Sequence, residues 1–183
     1  MSAGMKYKKI DYVEKPLSKI VYGTDRPEMM KNHDEFELLD MVYAHGINTF
    51  DTAAAYGEAE ASLGRWIKSR GLRDKLVIIT KGVNPSEYRN RLTEYDLKYD
   101  IENSFARLQT DYIDVYILHR DDPSQEVGPI VEVLNEYHNA GKIGAFGGSN
   151  WTWERTKEAN EYAKQHGLIP FTVCSPARER FRK

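Results

Sequence analysis

An α/β fold built on a parallel sheet is what this sequence predicts, and three observations carry the prediction. Short, β-branched apolar runs alternate with amphipathic helical patterns at intervals of about 25 to 35 residues. Glycines close the helical patterns, at Gly46, Gly71, Gly141 and Gly167. Polar residues with useful chemistry follow the apolar runs one after another: Asp51, Lys81, His119, Ser149 with Asn150, and Ser175. Strand, helix, strand in strict succession requires right-handed crossovers and parallel strands. A doubly wound open sheet would place a glycine-rich phosphate turn after its first strand, but Val21-Tyr22-Gly23-Thr24-Asp25-Arg26-Pro27 has no G-x-G-x-x-G. A (β/α)₈ TIM barrel instead builds its site from all the loops after its strands, as the polar residues here require. The chain supplies about six βα units, so the expected architecture is an incomplete (β/α)₈ barrel.

The elements follow in order. Residues 1–18 precede the first barrel strand and are expected to form a short strand pair across the barrel floor. Strands are expected at 19–23, 47–50, 76–80, 113–118, 142–146 and 171–174. Helices are expected at 34–45, 59–70, 96–108, 127–140 and 152–166. Asn32 or Asp34 would cap the first helix, Asp96 would open the third, and Thr152 would cap the last. Cys174, at the end of the sixth strand, reads as a small buried hydrophobe. The first and sixth strands would each show an unpaired edge that favours self-association. Residues 177–183 turn abruptly basic without a helix-starting cap and read as an atypical, solvated tail. At 183 residues, one core and a single domain over 1–183 are expected.

Composition narrows the function. A formal net charge of −2 with no basic stripe argues against a nucleic-acid partner. No stretch approaches the apolar length of a membrane span and the N-terminus has no apolar core, which points to a cytoplasmic protein with no membrane partner. Cys174 is the lone cysteine, excluding an internal disulfide framework and a cysteine metal cage. Asp121 and Asp122 lie beside His119, but no spaced ligand set accompanies them, so no metal site is expected. His33, His45, His138 and His166 read as solvated surface groups.

The segment Phe50-Asp51-Thr52-Ala53-Ala54-Ala55-Tyr56-Gly57 ends an apolar run with a carboxylate and a phenol. A phenol, which ionises near pH 10 in water, is a useful proton donor near neutrality only beside a positive charge. Lys81 and His119, each closing a later apolar run, would supply the charge and assist. Taken singly, Asp51 with Lys81 reads as a structural ion pair and Tyr56 as a rim residue. Together, at successive strand ends, they read as acid–base machinery.

These residues resemble the aldo/keto reductase family. Gly46-Ile47-Asn48-Thr49-Phe50-Asp51-Thr52-Ala53, with Tyr56-Gly57 and Glu60-x-x-Leu63-Gly64, is similar to the family's first signature. Ile78-Ile79-Thr80-Lys81 resembles its lysine strand, and Ser104-x-x-Arg107-Leu108-Gln109-Thr110-Asp111-Tyr112-Ile113-Asp114 through Leu118-His119 the segment leading to its histidine. Lys142-Ile143-Gly144 and Gly147-Gly148-Ser149-Asn150-Trp151 resemble its fifth-strand motif. Leu118-His119-Arg120-Asp121-Asp122-Pro123 is more like bacterial members than mammalian aldose reductases. The resemblance covers about residues 17–176 and the first two thirds of a family barrel.

The resemblance implies NADPH-dependent reduction of a small-molecule aldehyde or ketone, or the reverse oxidation. Tyr56 would donate the proton, Lys81 would make its phenol acidic, Asp51 would hold Lys81, and His119 would hydrogen-bond the carbonyl oxygen. Gly23, Thr24, Ser149, Asn150 and Ser175 would contact the cofactor. After Ser175-Pro176 the chain departs from the family pattern with Ala177-Arg178-Glu179-Arg180. The strand-seven aromatic and the basic phosphate-holding loop of relatives have no counterpart in these residues. Weak cofactor binding by the chain alone is therefore expected. The alternative is an inactive or regulatory fragment that needs a complementing segment to bind cofactor; a regulatory module, such as the family's potassium-channel β subunits, which keep the fold and cofactor but serve a partner, is a separate reading.

Overall fold

The computed structural model describes residues 4–175. Strands β1 (Tyr7–Lys8) and β2 (Leu17–Ser18) form a short antiparallel pair. Strands β3 (Tyr22–Gly23), β4 (Thr49–Asp51), β5 (Val77–Gly82), β6 (Ile113–Leu118), β7 (Ile143–Ser149) and β8 (Val173–Ser175) form one parallel sheet in chain order. The sheet curls into a half-barrel of the incomplete (β/α)₈ kind. Helices α1 (Pro27–Met30), α2 (Phe36–Ala44), α3 (Ala59–Arg70), α4 (Glu94–Leu108), α5 (Val127–Asn139) and α6 (Trp153–Gln165) occupy the connections.

Period two along the strands sorts their side chains into two cores. Val77 and Ile79 of β5, Val115 and Ile117 of β6 and Ala145 of β7 face inward, where Val13 from the β1–β2 connection packs on them. Ile78, Tyr116, Leu118 and Phe146 face outward and join Leu63, Trp66, Leu97, Ile101 and Leu134 of the helices. Burial on both faces is why β5 and β6 are apolar almost throughout, without polar alternation. Asp114 is the polar exception in β6, and the floor of the sheet closes around it. Its carboxylate accepts the Ile78 N–H at 3.0 Å and pairs with Lys15 at 2.8 Å and Arg73 at 2.9 Å.

The expected elements need several corrections. The first strand is confined to Tyr22–Gly23, because Ser18 turns the chain through side-chain bonds in place of a ladder. The Ser18 N–H meets the side chains of Asn48 and Thr49, and its hydroxyl donates to the Ile20 carbonyl at 2.7 Å. A short helix, α1, follows where none was expected, opened by Pro27. Neither Asn32 nor Asp34 caps α2, whose N-cap position is Glu35. Both instead bind Arg65 of α3, at 2.6 Å each. Thr93, not Asp96, caps α4: its hydroxyl accepts the Asp96 N–H, and Asp96 in turn accepts the Thr93 hydroxyl. Thr152 caps α6 as expected. Cys174 is exposed, not buried, because it alternates with inward-facing Val173 on the outermost strand β8. His138 is half-buried, its Nδ1 against the carbonyls of Ile143 and Gly144. The basic tail at 177–183 lies outside the described residues.

Gly64 lies inside α3, where alanine is ordinarily favoured by about 1 kcal/mol. Here a Cβ would stand 2.6 Å from the Arg107 carbonyl oxygen and 2.6 Å from the Leu108 carbonyl carbon, at the contact with α4. Neither is a side chain that can rotate away, so overpacking of about 1–3 kcal/mol outweighs the propensity gain. Gly64→Ala is therefore expected to lower stability in urea denaturation. An unchanged or raised midpoint would contradict this packing.

Candidate active site

Register puts the chemistry on one face at one end of the sheet. Gly23 pairs with Asp51, Asp51 with Ile79, Lys81 with Ile117, and Ser149 with Ser175. Ile79, Ile117, Ala145 and Val173 face inward, so Asp51, Lys81, His119, Ser149 and Ser175 share that face at the strands' C-terminal ends. In barrels of this kind that is the end at which active sites form.

Tyr56 reaches the same point from the turn between β4 and α3. The Thr52 N–H donates to the Ile79 carbonyl and the Ala54 N–H to the Lys81 carbonyl, each at 2.8 Å, stitching the start of the turn to β5. Its far side rests on α1. The Glu58 N–H donates to the Met30 carbonyl, and Gly57 adopts φ +54° with a would-be Cβ only 2.5 Å from that same oxygen. Glycine is needed there both for the left-handed conformation and for the close approach.

The buried Lys81 ammonium is shared three ways. It lies 2.5 Å from an Asp51 carboxylate oxygen, 2.8 Å from the Thr52 carbonyl and 3.4 Å from the Tyr56 hydroxyl. His119 stands edge-on to the Tyr56 ring, centroids 5.9 Å apart. Its backbone N–H is fixed on the Gly82 carbonyl at 2.9 Å. Its buried Nδ1 has no hydrogen-bond partner among the described residues. Burial pushes the Asp51 carboxyl above the usual carboxylate range, against the opposing pull of Lys81. Burial, then the charges of Lys81 and Arg120, lowers the His119 pKa to about 4. His119 is therefore a neutral imidazole near pH 7, with one ring donor and one ring acceptor.

The residues expected at a cofactor divide into two groups. Ser149 is buried and half-buried Asn150 follows it at φ +59°. The Asn150 N–H donates to the Ser175 carbonyl at 3.0 Å, and its side-chain amide donates to Ser149 Oγ at 3.0 Å and to the His119 carbonyl at 3.4 Å. Asn150 thus ties β7 to β8 and to the histidine. Gly23 is exposed, whereas Thr24 is fully buried with its N–H on the Asp51 carbonyl. The hydroxyls of Thr24 and Thr52 are buried without a partner among the described residues. Ser149 and Asn150 form a polar edge next to the backbone of His119.

Other expectations resolve into structural contacts. Asp121 pairs with Arg155 of α6, and Asp122 accepts the N–H and hydroxyl of Ser124. Arg155 also donates to the Gln125 carbonyl, pinning the loop after His119. No group of three His, Cys, Asp or Glu residues among the described residues is placed to hold a metal. Trp151 is buried against Phe171, and Trp153 is exposed. Sequence reading missed the Thr52 carbonyl as a lysine ligand and the Gly82 carbonyl as the histidine's anchor. Backbone acceptors leave no residue-type signal.

The unfolded chain would carry an ordinary histidine of pKa near 6.5 at position 119. Between pH 6.5 and about 4 that unfolded histidine takes up a proton that the folded one refuses. Stability is therefore expected to fall as pH drops through this window, by up to about 3 kcal/mol. The raised Asp51 works in the opposite sense in acid, so the comparison with His119→Asn isolates the histidine. Urea midpoints should fall more steeply with acid in the parent than in His119→Asn, and parallel curves would refute the assignment.

The sequence profile of the aldo/keto reductase family matches residues 19–178. A probable aryl-alcohol dehydrogenase of Saccharomyces cerevisiae is 33% identical over 157 residues, covering 79% of this chain and 47% of that protein. The aldo-keto reductase YhdN of Bacillus subtilis is 38% identical over 135 residues, covering 68% of this chain and 39% of that protein. A norsolorinic acid reductase of Emericella nidulans is 38% identical over 149 residues, covering 75% and 38% respectively. The chain spans under half the length of these curated relatives. With the match running from β3 through β8 and across every residue of the acid–base cluster, the chain belongs to the aldo/keto reductase family.

Proposed function

We propose that this chain carries the acid–base centre of an NADPH-dependent oxidoreductase that interconverts aldehydes or ketones and alcohols. The observation that carries the reading is the single Lys81 ammonium held between the Asp51 carboxylate and the Tyr56 hydroxyl, with a neutral imidazole beside them. A reduced nicotinamide, when bound, supplies the hydride for a carbonyl carbon. Tyr56 gives its phenolic proton to the carbonyl oxygen. Lys81 stabilises the charge left on the phenol oxygen: two unit charges about 4 Å apart attract by about 4 kcal/mol at an effective dielectric of about 20. Asp51 and the Thr52 carbonyl fix that ammonium so that it does not reorganise as charge develops. A ring N–H of His119 supports the carbonyl oxygen. Ser149 and Asn150 would orient the nicotinamide carboxamide.

The names of the relatives make aromatic aldehydes and ketones the substrates to test first.

Tyr56→Phe keeps the ring and removes the transferable proton. Reduction of an aromatic aldehyde by NADPH in the protein carrying this chain should fall by at least about a hundredfold with little change in substrate affinity. Retention of more than about a tenth of the parent rate would remove Tyr56 from the donor role.

Lys81→Met should be comparably damaging, and Asp51→Asn less so, because the Thr52 carbonyl still holds the ammonium. Since Asp51 acts through Lys81, adding Asp51→Asn to Lys81→Met should cost little more. Additive losses in turnover would show that the two act independently.

A further inference from the structure

We infer that Asp100, clamped by Arg91, positions both Lys81 and His119 by holding Val83 in a left-handed turn; this inference rests on the role proposed for those two residues. Val83 is buried and has φ +56°. A β-branched residue adopts that conformation only where its surroundings impose it. What imposes it is the Asp100 carboxylate of α4, which accepts the Val83 N–H at 2.7 Å. Arg91 grips the same carboxylate with two donors, at 2.7 and 3.1 Å, so that it is neither free to rotate nor left as an unpaired buried charge. A residue on α4's approach thus fixes a carboxylate in the helix's second turn, and that carboxylate accepts a single backbone amide.

The turn has little room to relax. At Gly82 a Cβ would lie 2.9 Å from the Asp100 Cβ and would overlap the hydroxyl of buried Tyr116. The backbone on either side of this point holds the rest of the site. The Lys81 carbonyl accepts the Ala54 N–H at 2.8 Å, securing the Tyr56 turn, and the Gly82 carbonyl accepts the His119 N–H at 2.9 Å. Without its acceptor, the buried Val83 amide would be driven to seek another by relaxing toward an extended conformation. That relaxation would carry the Gly82 carbonyl away from His119 and rotate the peptide that bears Lys81. Asp100 touches none of the reacting groups; it acts through Val83 and is a positioning residue.

The test uses the full 183-residue chain, ¹⁵N-labelled, with Asp100→Ala, Val83→Gly and the double variant. Asp100→Ala should shift the backbone amide resonances of Ala54 and His119 and move the His119 ring titration up from about 4 toward its ordinary value. Where aldehyde reduction is measured, kcat should drop at least about tenfold with KM little changed, as misplacement of catalytic groups predicts. Glycine adopts the left-handed turn without strain, so adding Val83→Gly should restore most of both signals, a rescue that a purely structural ion pair would not show. If Asp100→Ala does not fold, Arg91→Gln and its Val83→Gly double carry the same comparison with smaller shifts. Unmoved Ala54 and His119 resonances, or losses that Val83→Gly leaves in place, would overturn the inference. The resonance shifts decide the positioning role whether or not the 183-residue chain reduces aldehydes, and the functional reading is decided separately by the Tyr56→Phe comparison in the protein carrying this chain.

Discussion

One buried ammonium organises this structure. The Lys81 side chain is only 7% exposed, and a charge so far out of water is tolerable only when its donors are satisfied. The sheet satisfies them with a carboxylate from the neighbouring strand and a carbonyl one residue further along. Both lie within reach only if β4 and β5 hold their register, since a slip of one residue would turn Lys81 to the helix-facing side. The third neighbour is the Tyr56 hydroxyl, at 3.4 Å, the group proposed above as the proton donor.

The helix layer secures that register from behind. Glu60 of α3 is fully buried; it accepts the Thr80 hydroxyl at 2.5 Å and pairs with Arg107 of α4 at 2.7 Å. Thr80 is the residue before Lys81, so an ion pair between two helices, its carboxylate buried and its guanidinium partly exposed, is joined directly to the strand that carries the lysine. Such pairs add little net stability compared with apolar packing, but breaking one leaves the buried carboxylate uncompensated. Glu60–Arg107 and Asp100–Arg91 are therefore better understood as devices that fix position. On the opposite face the inner core of Val13, Val77, Val115 and Ala145 supplies ordinary hydrophobic stabilisation and leaves the C-terminal rim to polar groups.

Family membership and local geometry support different statements. Membership follows from the profile match over residues 19–178, and relatives with reductase and dehydrogenase names favour carbonyl chemistry. The arrangement of Asp51, Tyr56, Lys81 and His119 is what supports the proposed proton donor and its helpers.

The order of elements was legible in the residues because burial on both faces demands apolar strands and on one face demands amphipathic helices; β6, expected at 113–118, lies at Ile113–Leu118. Asp51, Lys81 and His119 were legible as polar groups closing successive apolar runs, and the structure brings them together with Tyr56. Local competition between side chain and backbone was not legible. Ser18 diverts the first strand, Asp34 abandons a helix cap for Arg65, and Thr93 takes the cap expected of Asp96, each through a partner distant in sequence or through equivalent nearby candidates. The left-handed Val83 could not be foreseen, since valine's own preference runs against it and only Asp100, brought in by α4, reverses that preference. Residue chemistry and periodicity thus determined which groups this protein places at the rim of a parallel sheet. Tertiary packing decided where their atoms stand, because hydrogen-bond partners for buried backbone and charge are assigned only when distant elements meet.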